Sequence, residues 1–303
     1  MKRRSAASAV LREFNKSQRC DGPQRVTLRK IDSVLQFFRS GPKEAGSALS
    51  SRHETEIELC RYNIATVALL SIVARQSEHG HEILGKDFPA NDSNLCGFLA
   101  NISNTAQAAL LLVINGLDTQ ARVLLRTLDE RIYQAIILFH SAQDYKIWHA
   151  GESSDDARSA HYQLFSRKGR LQKKLRAIEE EYLSSEGDLN ELVEWRKEQD
   201  EFYSMAVHGS MAAVMVGSWA FAFEGGNVTF PNVFGRASSA STSTLRHLLF
   251  QLHHFNFLFP AVLKDVHGWE ASKDDDMELA YLAFSALAHN LSLSWIAEGE
   301  PGA

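Results

Sequence analysis

Two stretches of helical sequence place ionisable side chains among apolar residues, and they hold the first candidates for chemistry. In the first stretch, Arg126 and Glu130 are four residues apart, so they share one face of a helix. In the second stretch, Ser204 and His208 have the same spacing. A histidine can transfer a proton near neutral pH, and a neighbouring serine acts as a nucleophile or as a hydrogen-bond partner. We therefore take these four residues as candidate catalytic residues.

Each pair also has a purely structural interpretation. Arg126 and Glu130 lie roughly opposite the apolar stripe of their own helix, which favours a solvated face with i,i+4 ion pairs unless another helix covers it. His208 also fits a core histidine that is held by Ser204. No Gly-x-Ser-x-Gly surrounds Ser204, so the sequence gives no support to a hydrolase nucleophile elbow.

The two stretches together resemble an uncharacterised bacterial domain-of-unknown-function family, in which a GL...A..LLR...E helix is followed by a YS...HG element. The resemblance covers about residues 104–215. It implies that Arg126, Glu130 and His208 converge inside a helical bundle, and it implies no particular reaction. The matching residues are Gly116, Leu117, Ala121, Leu124, Leu125, Arg126, Glu130, Tyr203, Ser204, His208 and Gly209.

Arg246 and His253 form a further candidate pair, because a step of seven residues returns both side chains to one helix face. The pair is similar to the motif of HEPN domains, helical ribonucleases and toxins that carry an Arg, four to six residues and then a His. This resemblance implies that His253 acts as acid or base at a ribose 2′-hydroxyl while Arg246 stabilises the phosphate charge. The spacing also arises by chance in a chain with 12 histidines, and a packed aromatic helix edge explains His253 equally well.

The elements that position these residues are helices. Apolar residues recur at three- and four-residue steps over long stretches, and the whole chain has only six prolines. This pattern predicts an all-α fold, a bundle of about seven helices. The stretch 95–142 is interpreted as one helix bent at Gly116 or as a helix pair. The other clear helices cover residues 54–76, about 241–266 and about 274–297.

The remaining segments predict where the bundle is interrupted and where its centre lies. A first short helix is expected to end at the break formed by residues 40–42, Ser-Gly-Pro. Residues 155–182 are polar and predict an exposed helix or a protruding helical hairpin. The segments 104–142 and 200–223 are expected at the centre of the bundle. One small β-hairpin is expected near 226–235.

The first 30 residues carry nine Lys or Arg against two acidic residues, a net charge of +7 that leaves −12 for the rest of a chain of net charge −5. Such a segment could bind nucleic acid or an anionic membrane. Since it has no aromatic stacking pattern, we predict a poorly ordered basic tail over residues 1–24 and a single helical domain over 25–303. The tail lacks the apolar core of a secretory signal, so we expect a cytoplasmic protein.

Metal, cofactor and membrane sites are not expected. Cys20, Cys60 and Cys96 are far apart and odd in number, which fits neither a disulfide framework nor paired metal ligands. The sequence has no His-Glu-x-x-His, no Cys-x-x-Cys and no Gly-rich phosphate loop. The stretch Tyr203–Phe223 approaches the length of a membrane span, but polar residues interrupt it, so a buried helix is favoured and no transmembrane segment is expected.

These observations favour an interaction or ligand-sensing bundle in which Arg126, Glu130 and His208 form a buried polar network. Loss of one partner would leave a buried group unpaired, so this hypothesis predicts that Arg126→Ala lowers the melting temperature sharply. The alternative is a metal-independent, HEPN-like endoribonuclease or toxin of a bacterial stress or defence system, with His208 or His253 as acid and base. RNA or a small ligand is the expected partner, and the long apolar helices favour a homodimer.

Overall fold

The computed structural model contains eleven α-helices and two short strands in the residues that it describes. Those residues are 2–19, 21–76, 83–88, 93–151, 153–166, 169–183, 186–207, 219–221, 228–231 and 239–297. The helices are α1 (Lys2–Ser17), α2 (Leu28–Arg52), α3 (Glu54–Gln76), α4 (Ser93–Ile114), α5 (Asp118–His140), α6 (Ala142–His149), α7 (Ser154–His161), α8 (Arg170–Tyr182), α9 (Glu186–Val207), α10 (Ser239–His267) and α11 (Asp276–Ala297). The strands are β1 (Trp219–Phe221) and β2 (Val228–Pro231).

The all-α prediction is confirmed, but the expected number of about seven helices is too low. Two of the additional helices are short and begin at serine caps. The Ser141 hydroxyl accepts a hydrogen bond from the backbone N–H of Asp144 at 3.2 Å, and the Ser153 hydroxyl accepts one from Asp156 at 3.1 Å. Each cap satisfies a backbone donor at a new helix start, so α6 and α7 form separately from α5.

The basic N-terminal segment is helical where the sequence predicts a poorly ordered tail. Most described side chains of α1 are exposed, but Asn15 ties the helix to the next segment. Its side-chain amide donates to the Val26 carbonyl at 2.7 Å and accepts from the Val26 N–H at 2.8 Å. This reciprocal pair fixes the turn that connects α1 to α2.

Helix α2 continues through residues 40–42, so the predicted break at Ser-Gly-Pro is wrong. The C-terminal half of the helix buries Ala45 and Leu49. A Cβ atom placed on Gly46 would lie 3.5 Å from Ile114, an ordinary van der Waals distance, so α2 and α4 are in contact at this point. Burial of this half offsets the one hydrogen bond that a proline removes from a helix.

The stretch 95–142 is a helix pair, the second of the two predicted forms. Gly116 ends α4 with a φ of 71°, a left-handed conformation that glycine adopts at little cost. The Gly116 N–H donates to the Val113 carbonyl and the Leu117 N–H donates to the Leu112 carbonyl, both at 2.8 Å. These two bonds form a Schellman motif, which lets α5 start in a new direction directly after α4.

Helix α10 lies at the centre of the bundle and contacts α3, α4, α5, α8 and α11. The sequence placed the segment 200–223 there instead, beside 104–142. Helix α9 packs against α5, as expected for the start of that segment, but α9 ends at Val207 and residues 208–218 lie outside the described part of the chain. Fully buried side chains of α10 are Leu245, Leu248, Leu252, Phe255 and Phe259.

The polar segment 155–182 does not protrude as a separate hairpin. Helix α8 packs on α5 and buries Leu175 and Ile178.

Strands β1 and β2 pair in antiparallel fashion, with Trp219 opposite Pro231. The sequence predicts both strands of a hairpin near 226–235. Only β2 lies in that segment, so this hairpin is not shown.

Helices α3 and α4 are long and apolar enough, by length and composition alone, to span a membrane, over Glu54–Arg75 and Ser93–Ile114. Neither is the stretch that the sequence analysis considered for this role. The central helices of a protein core have the same character, and Leu95, Leu99 and Ile102 of α4 are buried among neighbouring helices.

Candidate functional site

On helix α5, the buried polar side chains belong to residues close in sequence to the predicted site residues Arg126 and Glu130. One helical residue turns the chain by about 100°, so Arg122, Asp129 and Tyr133 share a face while Glu130 points away from Asp129. The three inward residues are buried. Arg126 and Glu130 pair at the surface, with 3.5 Å between Nε and Oε1 and side chains 42% and 53% exposed. These two residues therefore form the solvated i,i+4 pair and do not take part in a buried network.

Asp129 is a buried acid. Its side chain is hydrogen-bonded to Tyr133, and burial raises the pKa of Asp129 to about 8, against the opposing effects of Tyr133 and Arg196. The negative charges of Asp200 and Glu130 add to the increase. At pH 7 the protonated carboxyl is therefore favoured about tenfold over the carboxylate, and the group is an uncharged donor and acceptor.

A buried ion pair lies next to this acid. Arg196 of α9 binds Glu179 of α8 with both terminal nitrogens, and Nη1 lies 2.7 Å from Oε2. His254 of α10 places Nε2 at 3.0 Å from Oε1 of the same carboxylate, which is 1% exposed. Burial acts to raise the pKa of Glu179, but the contacts with His254 and Arg196 outweigh it and the pKa is lowered. The Arg196 guanidinium also lies 5.3 Å from the centre of the Tyr133 ring.

This ion pair is an Arg, Glu and His network of the kind that the sequence predicts, but it is built from other residues. Its members come from α8, α9 and α10, which are separate in sequence and meet across α5. The pair is bidentate, Glu179 is buried and Arg196 is only 11% exposed, and in such a geometry loss of one partner has a large effect.

Amide and aromatic side chains extend the polar contacts between α9 and α10. Gln251 donates from Nε2 to the Tyr203 hydroxyl at 2.6 Å, and both side chains are buried. One turn earlier on each helix, Nε2 of Gln199 and Nε2 of His247 are 2.8 Å apart. Burial, with a smaller effect of Arg122, lowers the pKa of His247 to about 4. His247 is therefore neutral at pH 7 and accepts from Gln199 through Nε2, which assigns its proton to Nδ1.

Arg122 of α5 contacts both α9 and α10 beside these polar contacts. Its Nε donates to the Thr244 hydroxyl at 3.3 Å, and its guanidinium carbon lies 3.7 Å from the centre of the Phe202 ring. Burial lowers the pKa of Arg122, while Asp118 acts in the opposite direction. Asp118 accepts a hydrogen bond from Ser241 at 2.9 Å. Both arginines in this region therefore have a carboxylate acting on them, Glu179 on Arg196 and Asp118 on Arg122.

We call this set of side chains the polar layer. Six of its side-chain atoms are buried and have no well-aligned hydrogen bond among the described residues, but one of them, His254 Nε2, lies 3.0 Å from Glu179 Oε1, which leaves five without a partner. More than nine in ten buried polar groups in folded proteins are paired, so five in one region is an unusual concentration. The five are Asp129 Oδ1, Arg196 Nε, Gln199 Oε1, His247 Nδ1 and Gln251 Oε1. The polar layer consists of Arg122, Asp129, Tyr133, Glu179, Arg196, Gln199, Tyr203, His247, Gln251 and His254.

The second predicted stretch meets the polar layer through Tyr203 and not through its serine. Tyr203 is 1% exposed at the centre of the layer, whereas Ser204 is half-buried beside it. His208 lies outside the described residues. The convergence of Arg126, Glu130 and His208 therefore does not occur in the part of the chain that the structure describes, since Arg126 and Glu130 are at the surface.

Arg246 and His253 lie on α10 and are both half-buried. The His253 ring stacks on the His289 ring of α11, with centroids 5.6 Å apart and planes 16° from parallel. Burial lowers the pKa of His253 to about 4, and His289 and His254 add to this effect. His253 is therefore uncharged at neutral pH.

The sequence analysis passed over most of the polar layer, although one signal was available on α8. Glu179, Glu180 and Glu181 lie in the polar segment 155–182, for which the sequence predicts an exposed helix or hairpin. On a helical wheel, however, only Glu179 falls on the face of Leu175 and Ile178. That position marks Glu179 as the buried member of the three.

Within the described residues, no group of three or more His, Cys, Asp or Glu side chains is placed to hold a metal ion. A comparison of the chain with protein-family models, curated proteins and solved structures found no match.

Proposed function

We propose that this protein is a ligand-sensing helical bundle and that a small molecule binds in the polar layer. The observation that carries the proposal is the group of five unpartnered polar atoms between α5, α9 and α10. Each such atom costs about 1 to 3 kcal/mol when it is buried without a partner. A ligand that offers matching donors and acceptors removes this cost and links the three helices.

The composition of the layer favours an uncharged ligand. The charge of Arg196 is balanced by Glu179 at bidentate distance, and the pKa of Arg122 is influenced by Asp118. The unpartnered atoms are two amide oxygens that accept, two nitrogens that donate and one oxygen of a protonated acid. A neutral polar compound with both donors and acceptors, such as a nucleoside, a sugar or an amide, matches this set. Among the described residues, each arginine of the layer already has a carboxylate acting on it, so an anion would compete with Glu179 or Asp118.

Ligand binding is expected to raise the melting temperature of the protein, because a ligand that binds only the folded state stabilises it by RT ln(1 + [L]/Kd). The measurement is a thermal-shift screen of nucleosides, monosaccharides and amides, with nucleotides and dicarboxylates as the anionic set. At 100 times Kd the stabilisation is about 2.7 kcal/mol. In the Gln251→Met variant, which loses Oε1 but keeps a chain of similar length, the shift for a binding compound should fall by more than half.

The matched control is Lys197→Ala, because Lys197 is 64% exposed on the outer face of α9 and pairs only with Glu194 in the described part of the chain. This variant should respond to the ligand like the wild type. The proposal fails if no neutral compound shifts the melting temperature, or if an experimental structure shows ordered waters alone pairing all five atoms.

A second candidate function, an HEPN-like endoribonuclease of a bacterial stress or defence system, is favoured by one specific contact. His289 lies against His253, so two imidazoles are present on the same side of α10 as Arg246. One imidazole would remove the proton of a ribose 2′-hydroxyl, and the other would protonate the 5′-oxygen that leaves. Arg246 would stabilise the charge on the phosphate.

For this second function, His253→Ala and His289→Ala should each lower the cleavage rate of a fluorescent RNA oligonucleotide at least 100-fold. Lys197→Ala again serves as the control, and it should cleave at the wild-type rate. Intact RNA after incubation with micromolar wild-type protein would exclude the ribonuclease, as would histidine variants that cleave like the wild type. Either function fits a cytoplasmic protein that needs no cofactor.

A further inference from the structure

Helix α11 carries an exposed apolar face that no described element covers. Between Leu279 and Ala297 the sequence contains no Lys, Arg, Asp or Glu. Four leucines in this span, Leu279, Leu287, Leu291 and Leu293, are between 42% and 47% exposed. A surface helix normally presents charged and polar residues to water, so a half-exposed stretch of about five turns without a charged residue is unusual.

The exposed residues form a defined surface, which we call the α11 face. On a helical wheel the four leucines span about 160°, and Leu279 and Leu293 form one rim while Leu287 and Leu291 form the other. Ala283, Asn290 and Ser294 are exposed between the rims. Small residues between two leucine rims make a shallow groove into which the side chains of another helix can pack.

The apolar surface extends from α11 onto α10. Phe257 is 43% exposed, and its ring stacks with that of His289 at 6.2 Å between centroids. His289 in turn stacks on His253. The surface is thus continuous across two helices that pack against each other. Isolated exposed leucines are common, but a continuous patch of this kind marks an interaction site.

We infer that the α11 face binds a second copy of this chain, in an antiparallel helix pair around a two-fold axis. The charge distribution favours this occupant. Residues 31–303 carry a net charge of −12, so the surfaces outside the basic N-terminal segment repel each other when two copies meet. The α11 face has no charged side chain after Glu278, so it can be placed against itself without opposing like charges.

The geometry of α11 sets both the strength and the centre of this contact. A helix of 22 residues is about 33 Å long, and a strip of that length and about 10 Å width buries on the order of 350 Å² per copy, plus the flank on α10. Two copies together would bury about 700 Å² on α11, which is below the usual range of stable interfaces, so weak association in the upper micromolar range is expected. Leu287 lies at the midpoint of Asp276–Ala297, so an antiparallel pairing brings the two copies of Leu287 together.

Sedimentation velocity of the full chain from 1 to 200 µM tests this inference. The wild type should shift from monomer to dimer across the range. Leu287→Glu and Leu287→Lys should each remain monomeric, because each places two like charges at the two-fold axis. An equimolar mixture of the two variants should recover the dimer, because a Glu then meets a Lys.

The matched control is Leu111→Glu, which changes a leucine that is 50% exposed on α4 and lies outside the α11 face. This variant should dimerise like the wild type. Each variant is first compared with the wild type by circular dichroism and melting temperature, and an unchanged fold is expected because Leu287 is at the surface.

Three results would overturn the inference. The first is a wild type that is monomeric at 200 µM. The second is a dimer that Leu287→Glu leaves intact, which would place the interface elsewhere. The third is a monomer that binds vesicles of neutral phosphatidylcholine through the α11 face, with binding lost in Leu287→Glu, since this would make the occupant a membrane. None of these results depends on whether the polar layer binds a ligand.

Discussion

Replacing Arg196 with alanine should lower the free energy of unfolding by about 3 to 5 kcal/mol, the range for breaking a buried ion pair from one side. Arg196 holds Glu179 with two hydrogen bonds, and Glu179 is 1% exposed. Without the guanidinium, the carboxylate keeps only His254 as a described partner. The buried charge must then be neutralised by a proton or exposed by movement of α8 or α9. The measurement is urea unfolding at pH 7 followed by circular dichroism.

Two surface variants separate this effect from a general sensitivity of the bundle. Lys197→Ala changes the next residue on α9, where Lys197 and Glu194 form an exposed pair. Arg126→Ala removes the exposed pair with Glu130 on α5. Both changes should stay within about 0.5 kcal/mol of the wild type. The sequence analysis predicted a sharp loss for Arg126→Ala, and the surface position of Arg126 replaces that expectation.

A double variant identifies the source of the loss. Arg196→Met with Glu179→Met replaces both charges with apolar side chains of similar length, and it should recover most of the stability that Arg196→Ala loses. An Arg196→Ala variant as stable as Lys197→Ala would show that the ion pair does not form. A double variant no better than the single one would show that the cost comes from lost packing.

The free energy of unfolding of the wild type should fall between pH 6.5 and 8, and Asp129→Asn should remove most of this fall. The pKa of Asp129 is raised from 3.8 to about 8 in the folded protein. Between these values the folded state holds a proton that the unfolded chain has released, so stability falls as the pH rises and levels off above pH 8. The slope is about 1.4 kcal/mol per pH unit where the difference is one full proton.

Two histidines have the opposite effect on stability, at lower pH than Asp129. His247 and His253 have pKa values lowered from 6.5 to about 4, so the folded state binds fewer protons than the unfolded chain between those values. Their contribution to stability therefore rises with pH from about pH 4 and levels off about one pH unit above the unfolded pKa of 6.5. The rise is the same in wild type and Asp129→Asn, so the difference between the two proteins reports Asp129 alone. The groups that act on Asp129 itself are Tyr133, Arg196, Asp200 and Glu130.

The experiment is urea unfolding of wild type and Asp129→Asn at pH 6.5, 7.25 and 8. The wild type should lose about 1 to 2 kcal/mol across this range, while Asp129→Asn should lose much less and be the more stable protein at pH 8. Asp265→Asn, at an exposed position on α10, should keep the wild-type slope. Parallel slopes for wild type and Asp129→Asn would mean that Asp129 ionises like an exposed acid.

The sequence alone was sufficient for the fold class and for several helices. Periodicity of apolar residues is a local property, so it identified α3 over residues 54–76, the paired helices around Gly116, and the final helices α10 and α11 within two residues at each end. The turn at Gly116 is also local, because a left-handed residue at a helix end is a preference of glycine itself.

Local patterns were insufficient wherever a distant segment supplied the stabilisation. Helix α2 crosses Gly41 and Pro42 because its second half is buried against other helices, including α4, which the residues 40–42 do not reveal. Helix α8 reads as exposed because most of its residues are polar, yet the few apolar ones are enough to place it on α5.

The candidate site shows the same division between local and tertiary information. The sequence identified α5 and the start of the Tyr203 stretch as places with polar residues in apolar helices, and it predicted a buried Arg, Glu and His network. It assigned that network to Arg126 and Glu130, because both are charged and correctly spaced. Spacing fixes which residues share a face of one helix, but only the packing of α8, α9 and α10 around α5 determined which face is buried. That packing selected Asp129, Glu179 and Arg196, since burial is a property of the assembled helices and not of any one of them.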